Sequence, residues 1–204
     1  MKPMLRLEGL KKSFGGLRVT DEVSFDIQTH EIAAIIGPNG AGKTTLFNQI
    51  TGYLAPDADH VFLQGQDIVG LTPQAIVKMG VGRAFQIASI FPDETALDNV
   101  RVACMSKLNQ TRQLWRPVEQ FHRATEQAQA ILESLGLERQ ADRMAFELAH
   151  GDQKLLDIGI ALVLEPKLLL LDEPTAGLSP KYVDLFFDKI REIHQTRNVS
   201  IILA

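Results

Sequence analysis

The run Gly37-Pro38-Asn39-Gly40-Ala41-Gly42-Lys43-Thr44-Thr45 carries the densest chemistry in the chain. Gly37, Gly42, Lys43 and Thr44 fit the pattern of Gly, four residues, Gly, Lys, Ser or Thr, which cradles nucleotide phosphates. A polyphosphate bears several negative charges and needs many donors at once. Glycines let the backbone curl so that successive N–H groups point inward. A helix following the loop adds its positive end. Lys43 is then placed to reach the β and γ oxygens, and the Thr44 hydroxyl to ligate Mg²⁺. The surroundings fit: the apolar run Ile32-Ala-Ala-Ile-Ile36 predicts a buried strand before the loop, and Thr44 to Ile50 predicts a helix after it.

Two further runs add acids and a helix start. Leu168-Leu-Leu-Leu-Asp172-Glu173 reads as an apolar strand ending in two carboxylates. A carboxylate at a buried strand end can hold Mg²⁺, and the next one can orient or deprotonate a water. Leu148-Ala149-His150-Gly151-Asp152-Gln153 precedes an apolar helix. Gly151 there permits close backbone approach, and the helix end offers N–H groups to an anion. An ordinary helix start with a turn glycine reads equally from this run.

The elements that must position these groups follow from periodicity. Leu5 and Leu7, then Val23, Phe25 and Ile27, alternate as antiparallel strands do, with Gly15-Gly16 as the turn. Val61-Phe-Leu predicts a short strand, residues 72–79 a helix opened by Thr72-Pro73, and residues 81–86 another short strand. Helices are expected over 95–105 (opened by the capping pattern Thr95-Ala-Leu-Asp98), 118–135 (stopped by Gly136), 138–144, 152–164 and 180–196. Lys107 to Pro117 reads as a loop or hairpin with Trp115 as a packing residue. Leu168 to Leu171 predicts a strand buried on both faces, and Val199 to Ala204 the start of a final one. Together these give an α/β core with a parallel central sheet, an N-terminal antiparallel β layer and a helical insertion. The last predicted strand stops at Ala204, so the natural protein is expected to continue.

Composition bounds the class. The chain has 204 residues, 45% hydrophobic and 23% charged, with a net charge of −4 and one cysteine. That suits one large domain with a substantial core. No basic face suited to nucleic acid is apparent, and no apolar run approaches the roughly 20 residues that cross a bilayer. Cys104 reads as a small buried hydrophobe.

At this point the residues resemble a family, the ATP-binding-cassette ATPases, over essentially all 204 residues. Gly37 to Thr45 is similar to its Walker A loop, Gln86 to its Q-loop glutamine, Leu148 to Gln153 to its signature motif, and Leu168 to Glu173 to its Walker B strand. Phe14 stands where the family places an aromatic that stacks on adenine, and Ala176-Gly-Leu-Ser179 falls at its D-loop. Thr45 to Gly52, Gly82-Arg-Ala-Phe-Gln86 with Phe91-Pro92, and Thr175 to Pro180 look most like the ATPase subunits of branched-chain amino acid importers.

The resemblance implies a P-loop NTPase (RecA-like) core at about 1–90 and 158–204, with a helical subdomain at about 91–157. It implies ATP held by Phe14, Gly37, Pro38, Asn39, Gly40, Ala41, Gly42, Lys43, Thr44, Thr45, Gln86, Ala149 and Gly151. Mg²⁺ would be held by Thr44, Gln86 and Asp172, with Glu173 as general base and Lys43 and Gln86 assisting. A second cassette, homodimeric or a sister subunit, would trap ATP between its own loop and the other's signature helix. Membrane permease subunits would dock near Gln86 to Pro92, a solute-binding protein would act indirectly, and the chain would sit on the cytoplasmic face of the inner membrane. No nucleic acid partner is implied.

Ala149 replaces the family's usual signature serine, and His150 a small residue. His30 and His60 stand where relatives commonly carry a turn glycine. The family's switch histidine falls past Ala204. Two other readings remain at this stage: a non-transport cassette clamping nucleic acid or ribosome, and a module that binds ATP without cleaving it.

Overall fold

The computed structural model describes residues 2–84, 90–110 and 120–204. Gln86 and Trp115 lie outside the described residues, as do 111–117 of the expected loop. In chain order the elements are β1 (Leu5–Phe14), β2 (Leu17–Ile27), β3 (Ile32–Ala34), α1 (Lys43–Ile50), β4 (Ala58–Leu63), β5 (Gln66–Asp67), α2 (Pro73–Lys78), β6 (Val81–Ala84), α3 (Ala96–Lys107), α4 (His122–Leu135), α5 (His150–Leu162), β7 (Leu168–Leu171), α6 (Pro180–Arg197) and β8 (Ser200–Leu203). The described residues fall into two compact units. One comprises those of Met1–Arg83, Pro166–Glu173 and His194–Ala204; the other those of Ala84–Glu165 and Pro174–Ile193.

The first unit holds two four-stranded sheets, ordered β2-β1-β4-β5 and β3-β8-β7-β6. The first sheet is antiparallel: β1 and β2 form a hairpin whose register runs from Leu5 opposite Ile27 to Phe14 opposite Leu17 around Gly15-Gly16. In the second, β8 pairs in parallel with both β3 and β7. One core joins the sheets: Leu5, Leu7 and Leu10 of β1, Phe47 and Ile50 of α1, Leu168 and Leu170 of β7 and Ile202 of β8 are all buried in it. All four leucines of β7 are sealed, as an apolar run in a central parallel strand should be.

The strand before the phosphate loop departs from expectation. β3 is the edge of its sheet, with Ile32 38% and Ile36 94% exposed, so its apolar run is not buried on both faces. Ala33 to Ile36 instead line, with Val19 to Ile27 of β2, a cavity of about 460 Å³. An apolar pentapeptide reads alike whether a neighbouring strand covers it or not.

In the second unit α3, α4 and α5 pack on one another, and most of α6 belongs to the same unit. Gly159 of α5 sits at the crossing; a Cβ there would lie 2.7 Å from Leu135 and 3.3 Å from Ile131 of α4. α3 is capped as predicted, with the Thr95 hydroxyl accepting from the Asp98 amide at 3.0 Å. The expected helix over 138–144 is only a 3₁₀ turn, Glu138–Gln140. The reason is tertiary: the chain turns out of helix there and brings the carbonyls of Ala141 and Arg143 to the Leu97 and Ala96 amides, first-turn donors of α3. α5 opens at His150 rather than Asp152, and α4 at His122 rather than 118. His30 does take a left-handed turn conformation, φ 62°. His60 does not stand at a turn: it lies within β4 opposite Glu8, with its imidazole 2.7 Å from the Asp67 carboxylate.

The tip of the β1–β2 hairpin is tied to the approach to β4 by Asp57. Its amide donates to the Lys11 carbonyl, while its carboxylate accepts from the Ser13 amide at 2.7 Å and the Lys12 ammonium at 2.6 Å. These bonds favour the ionised form and hold the carboxyl below the usual range, Lys12 first and the Ser13 amide next. A depressed carboxyl stabilises the fold above its unfolded pKa and ceases to as pH falls through the folded one. Asp57→Asn is therefore expected to lower Tm at pH 7, with the gap to the parent closing below about pH 3.9. Thermal melts from pH 7 to pH 2.5 check this, and a gap that persists in acid rules the ionic tie out.

Candidate functional site

The loop between β3 and α1 is shaped as the glycine spacing requires. Gly40 and Gly42 take φ of 80° and 88°, which side-chain-bearing residues rarely adopt. At Gly42 a Cβ would also stand 2.6 Å from the Val19 carbonyl oxygen of β2, so the close approach of hairpin and loop permits glycine alone. A turn closes where the Ala41 amide donates to the Pro38 carbonyl at 3.1 Å. Gly42 is the N-cap of α1 and no side chain caps that end. The first amides of α1 therefore face the loop's concavity with a positive partial charge. Lys43 curls back, donating to the carbonyls of Gly37 at 2.8 Å and Pro38 at 3.1 Å. Pro38, Asn39, Gly40 and Ala41 are exposed, and Thr45 is half-buried. The result is a curled loop closed from within by the Lys43 ammonium on two of its own carbonyls.

Asp172 comes to this loop from 128 residues away. It ends β7, next to β8, which in turn pairs with β3, so the parallel strands deliver the loop and the acid to one sheet edge. Thr44 Oγ1 lies 3.3 Å from Asp172 Oδ1. The carboxylate is nearly sealed, its side chain 1% exposed, and its other oxygen accepts from Arg83 Nη2 at 2.9 Å. Glu173 follows in a left-handed conformation, φ 46°, with its amide donating to the Ala204 carbonyl. Such a backbone is strained for glutamate and turns its side chain off the strand's alternation. Among the described residues no cluster of three or more His, Cys, Asp or Glu could hold a metal alone. A hydroxyl beside one buried carboxylate oxygen nevertheless suits a hard cation that takes its remaining ligands from phosphate and water, as Mg²⁺ does.

Phe14 stands at the hairpin tip, 50% exposed, with Lys12 Nζ 5.8 Å from its ring centroid. An exposed aromatic platform of this kind can stack on a base. The 460 Å³ cavity touches the loop only at Ala41 to Lys43, and its apolar walls do not suit phosphate.

In the second unit, α5 begins at Ala149, whose alanine side chain gives no cap where a serine would. Gln153 instead ties the turn, donating to the Ala145 and Leu148 carbonyls. Burial pushes the Asp152 carboxyl up, opposed by the charge of Arg143. Gly151 is buried, and its glycine has an intrachain reason the sequence did not disclose: a Cβ would lie 2.5 Å from Tyr182 Cδ1 of α6. His150, exposed, has its Nε2 3.3 Å from where a Cβ on Gly177 would be. Arg83, absent from the sequence reading as a site residue, is signalled only by a cation inside an apolar β6. The described residues thus bring Thr44, Lys43, Asp172 and Glu173 into one unit with Phe14; Ala149 and Gly151 belong to the other.

These features are those of a nucleotide-hydrolysing cassette. The ABC transporter family model matches residues 20–176, and the chain belongs to that family. It is 38% identical over 99% of its length to the high-affinity branched-chain amino acid transport ATP-binding protein LivG of Escherichia coli K12, covering 81% of that protein. It is 37% identical to BraF of Pseudomonas aeruginosa, of the same description, over 99% of this chain and 81% of BraF. Among solved structures it superposes on MJ1267, an ATP-binding cassette of an ABC transporter, with a TM-score of 0.87 and 35% identity over the whole of this chain and 81% of that one. The chain is thus an ABC ATPase, binding ATP in a P-loop fold. No described helix is long and apolar enough to cross a membrane.

Gly151→Ala is expected to destabilise the protein by about 1–3 kcal/mol through the Tyr182 clash. Adding Tyr182→Leu should recover much of that loss. Urea denaturation of the two variants decides, and an unchanged midpoint for Gly151→Ala would show that α5 and α6 are not packed as described.

Proposed function

We propose that this chain is the ATP-hydrolysing subunit of an importer for branched-chain or other hydrophobic amino acids. The observation that carries the hydrolytic part is the meeting of Thr44 and Asp172 at 3.3 Å beside the glycine loop. The solute rests on the likeness to LivG and BraF, whose names describe branched-chain amino acid transport. That likeness to transport proteins also favours transport over a clamp on nucleic acid or ribosome.

The residues act in sequence. The curled loop from Gly37 to Thr45 wraps the β-phosphate with its amides, and the α1 end adds positive potential. Lys43 exchanges its loop carbonyls for the β and γ oxygens and stabilises the charge that develops on them. Phe14 stacks on adenine. Thr44 and Asp172, with Gln86, would hold Mg²⁺, which when bound neutralises charge on the β and γ oxygens. Glu173 orients the attacking water and takes its proton. Ala149 and Gly151 of a second cassette, identical or sister, close over the γ-phosphate through backbone amides and helix end alone. Membrane permease subunits receive the resulting motion near Gln86 to Pro92, which places the chain on the cytoplasmic face of the membrane, and a solute-binding protein acts through them.

Glu173→Gln tests the chemistry. The variant should bind Mg-ATP within about twofold of the parent, while steady-state phosphate release falls at least about 100-fold, the range of a lost general base. Retained turnover removes Glu173 from that role. Lost binding would place its effect on the fold.

A further inference from the structure

Asp172 is 2% exposed, a depth at which an ionised carboxylate needs partners. Arg83 supplies one, and the way it does so exceeds charge pairing. Its Nη2 donates to Asp172 Oδ2 at 2.9 Å, while its Nη1 donates to Asn48 Oδ1 at 2.6 Å and approaches Thr51 Oγ1 at 3.4 Å. The guanidinium carbon lies 5.8 Å from the centroid of the Phe47 ring, close enough for a cation–π contact. The Arg83 side chain is itself only 6% exposed. Three residues of α1 and its end therefore fix the fork from one side, and the fork fixes one carboxylate oxygen from the other. The second oxygen, Oδ1, is left beside the Thr44 hydroxyl.

We infer that Arg83 is a positioning residue for divalent-cation binding: it pins Asp172 by Oδ2 so that Oδ1 and the Thr44 hydroxyl are presented together. This rests on the reading of Thr44 and Asp172 as the Mg²⁺ pair. A planar fork can serve Asn48 and Asp172 at once, which a lysine ammonium cannot do in the same geometry. Partners that orient a metal's carboxylate typically change metal affinity 10–100-fold when removed.

The test uses the whole chain and a fluorescent ATP analogue, with dissociation constants measured in EDTA and in saturating Mg²⁺. Their ratio reports the coupling between metal and nucleotide. Arg83→Gln is expected to leave the EDTA value within about twofold and to reduce the Mg²⁺-dependent tightening about tenfold or more. Arg83→Lys, which keeps the charge, should not restore it. Asn48→Ala, which frees the fork but keeps the ion pair, should lower the ratio severalfold, and it carries the test if Arg83→Gln does not fold. A ratio equal to the parent's in a folded Arg83→Gln, or one restored by lysine, overturns the inference, as does a larger ratio, which would make Arg83 a competitor of the cation. Asp172→Asn separates the two levels: a ratio unchanged there sinks the reading of the metal pair itself, whereas a ratio lost there and kept in Arg83→Gln sinks only the role of Arg83.

Discussion

A carboxylate almost wholly withdrawn from water must be held on every side, and Asp172 imposes that condition on the elements around it. Its strand is the most apolar in the protein, four leucines in succession, which drives the strand end and its acid into the core. The desolvation is offset only if donors converge. β6 contributes Arg83, α1 contributes Thr44, and Asn48 and Phe47 in turn hold Arg83 in place. The parallel order of β3, β8 and β7 makes that convergence possible, because it brings the end of β3, and hence the loop, to the edge where β7 ends. The fold's central sheet and the pairing of its buried acid are in this sense one requirement.

Helix ends supply the complementary charge. Both α1 and α5 start without a capping side chain, at Gly42 and Ala149. In most helices the first-turn amides are satisfied by a serine, threonine, aspartate or asparagine. α2 and α3 use such caps, with Thr72 accepting from the Ala75 amide and Thr95 from the Asp98 amide, whereas α4, like α1 and α5, has none at its N-cap, Phe121. Leaving the starts of α1 and α5 uncapped has a stability cost, and an anion that accepts from those amides removes it.

What the residues disclosed beforehand divides by range. The loop, the β1–β2 turn at Gly15-Gly16, the Thr72 and Thr95 caps and the buried β7 are set by neighbours a few positions apart, and all were legible. The failures came where distant backbone decided. β3 reads as a buried strand because its residues are apolar, yet its exposure depends on what pairs beside it. Residues 138–144 carry helix-forming side chains, but α3 claims their carbonyls. His60 sits in a strand because of its partner Glu8, 52 positions back by subtraction of the paired numbers. Arg83 could not be tied to Asp172 by spacing, since 89 positions separate them. Gly151 was read as room for a ligand; the Tyr182 ring gives it a second reason, one that needs the packing of α5 on α6 to be seen.

Lys43 shows how such a site can exist before its substrate arrives. An ammonium among inward-pointing amides would repel them and strain the loop. It donates instead to the carbonyls of Gly37 and Pro38, so the cation closes the loop from within and holds the curl that phosphate will need. Those carbonyls are weaker partners than phosphate oxygens, which carry formal charge. Exchange of one for the other therefore favours binding without unfolding the cradle, since the glycine conformations at Gly40 and Gly42 and the contact with Val19 are independent of where the ammonium points. The same logic holds at Asp172, where Arg83 on Oδ2 and Thr44 on Oδ1 keep a buried charge satisfied while only the second contact lies on the loop side. Lys43 and Asp172 are thus each paired by protein partners beforehand, and the partner that lies toward the substrate is uncharged.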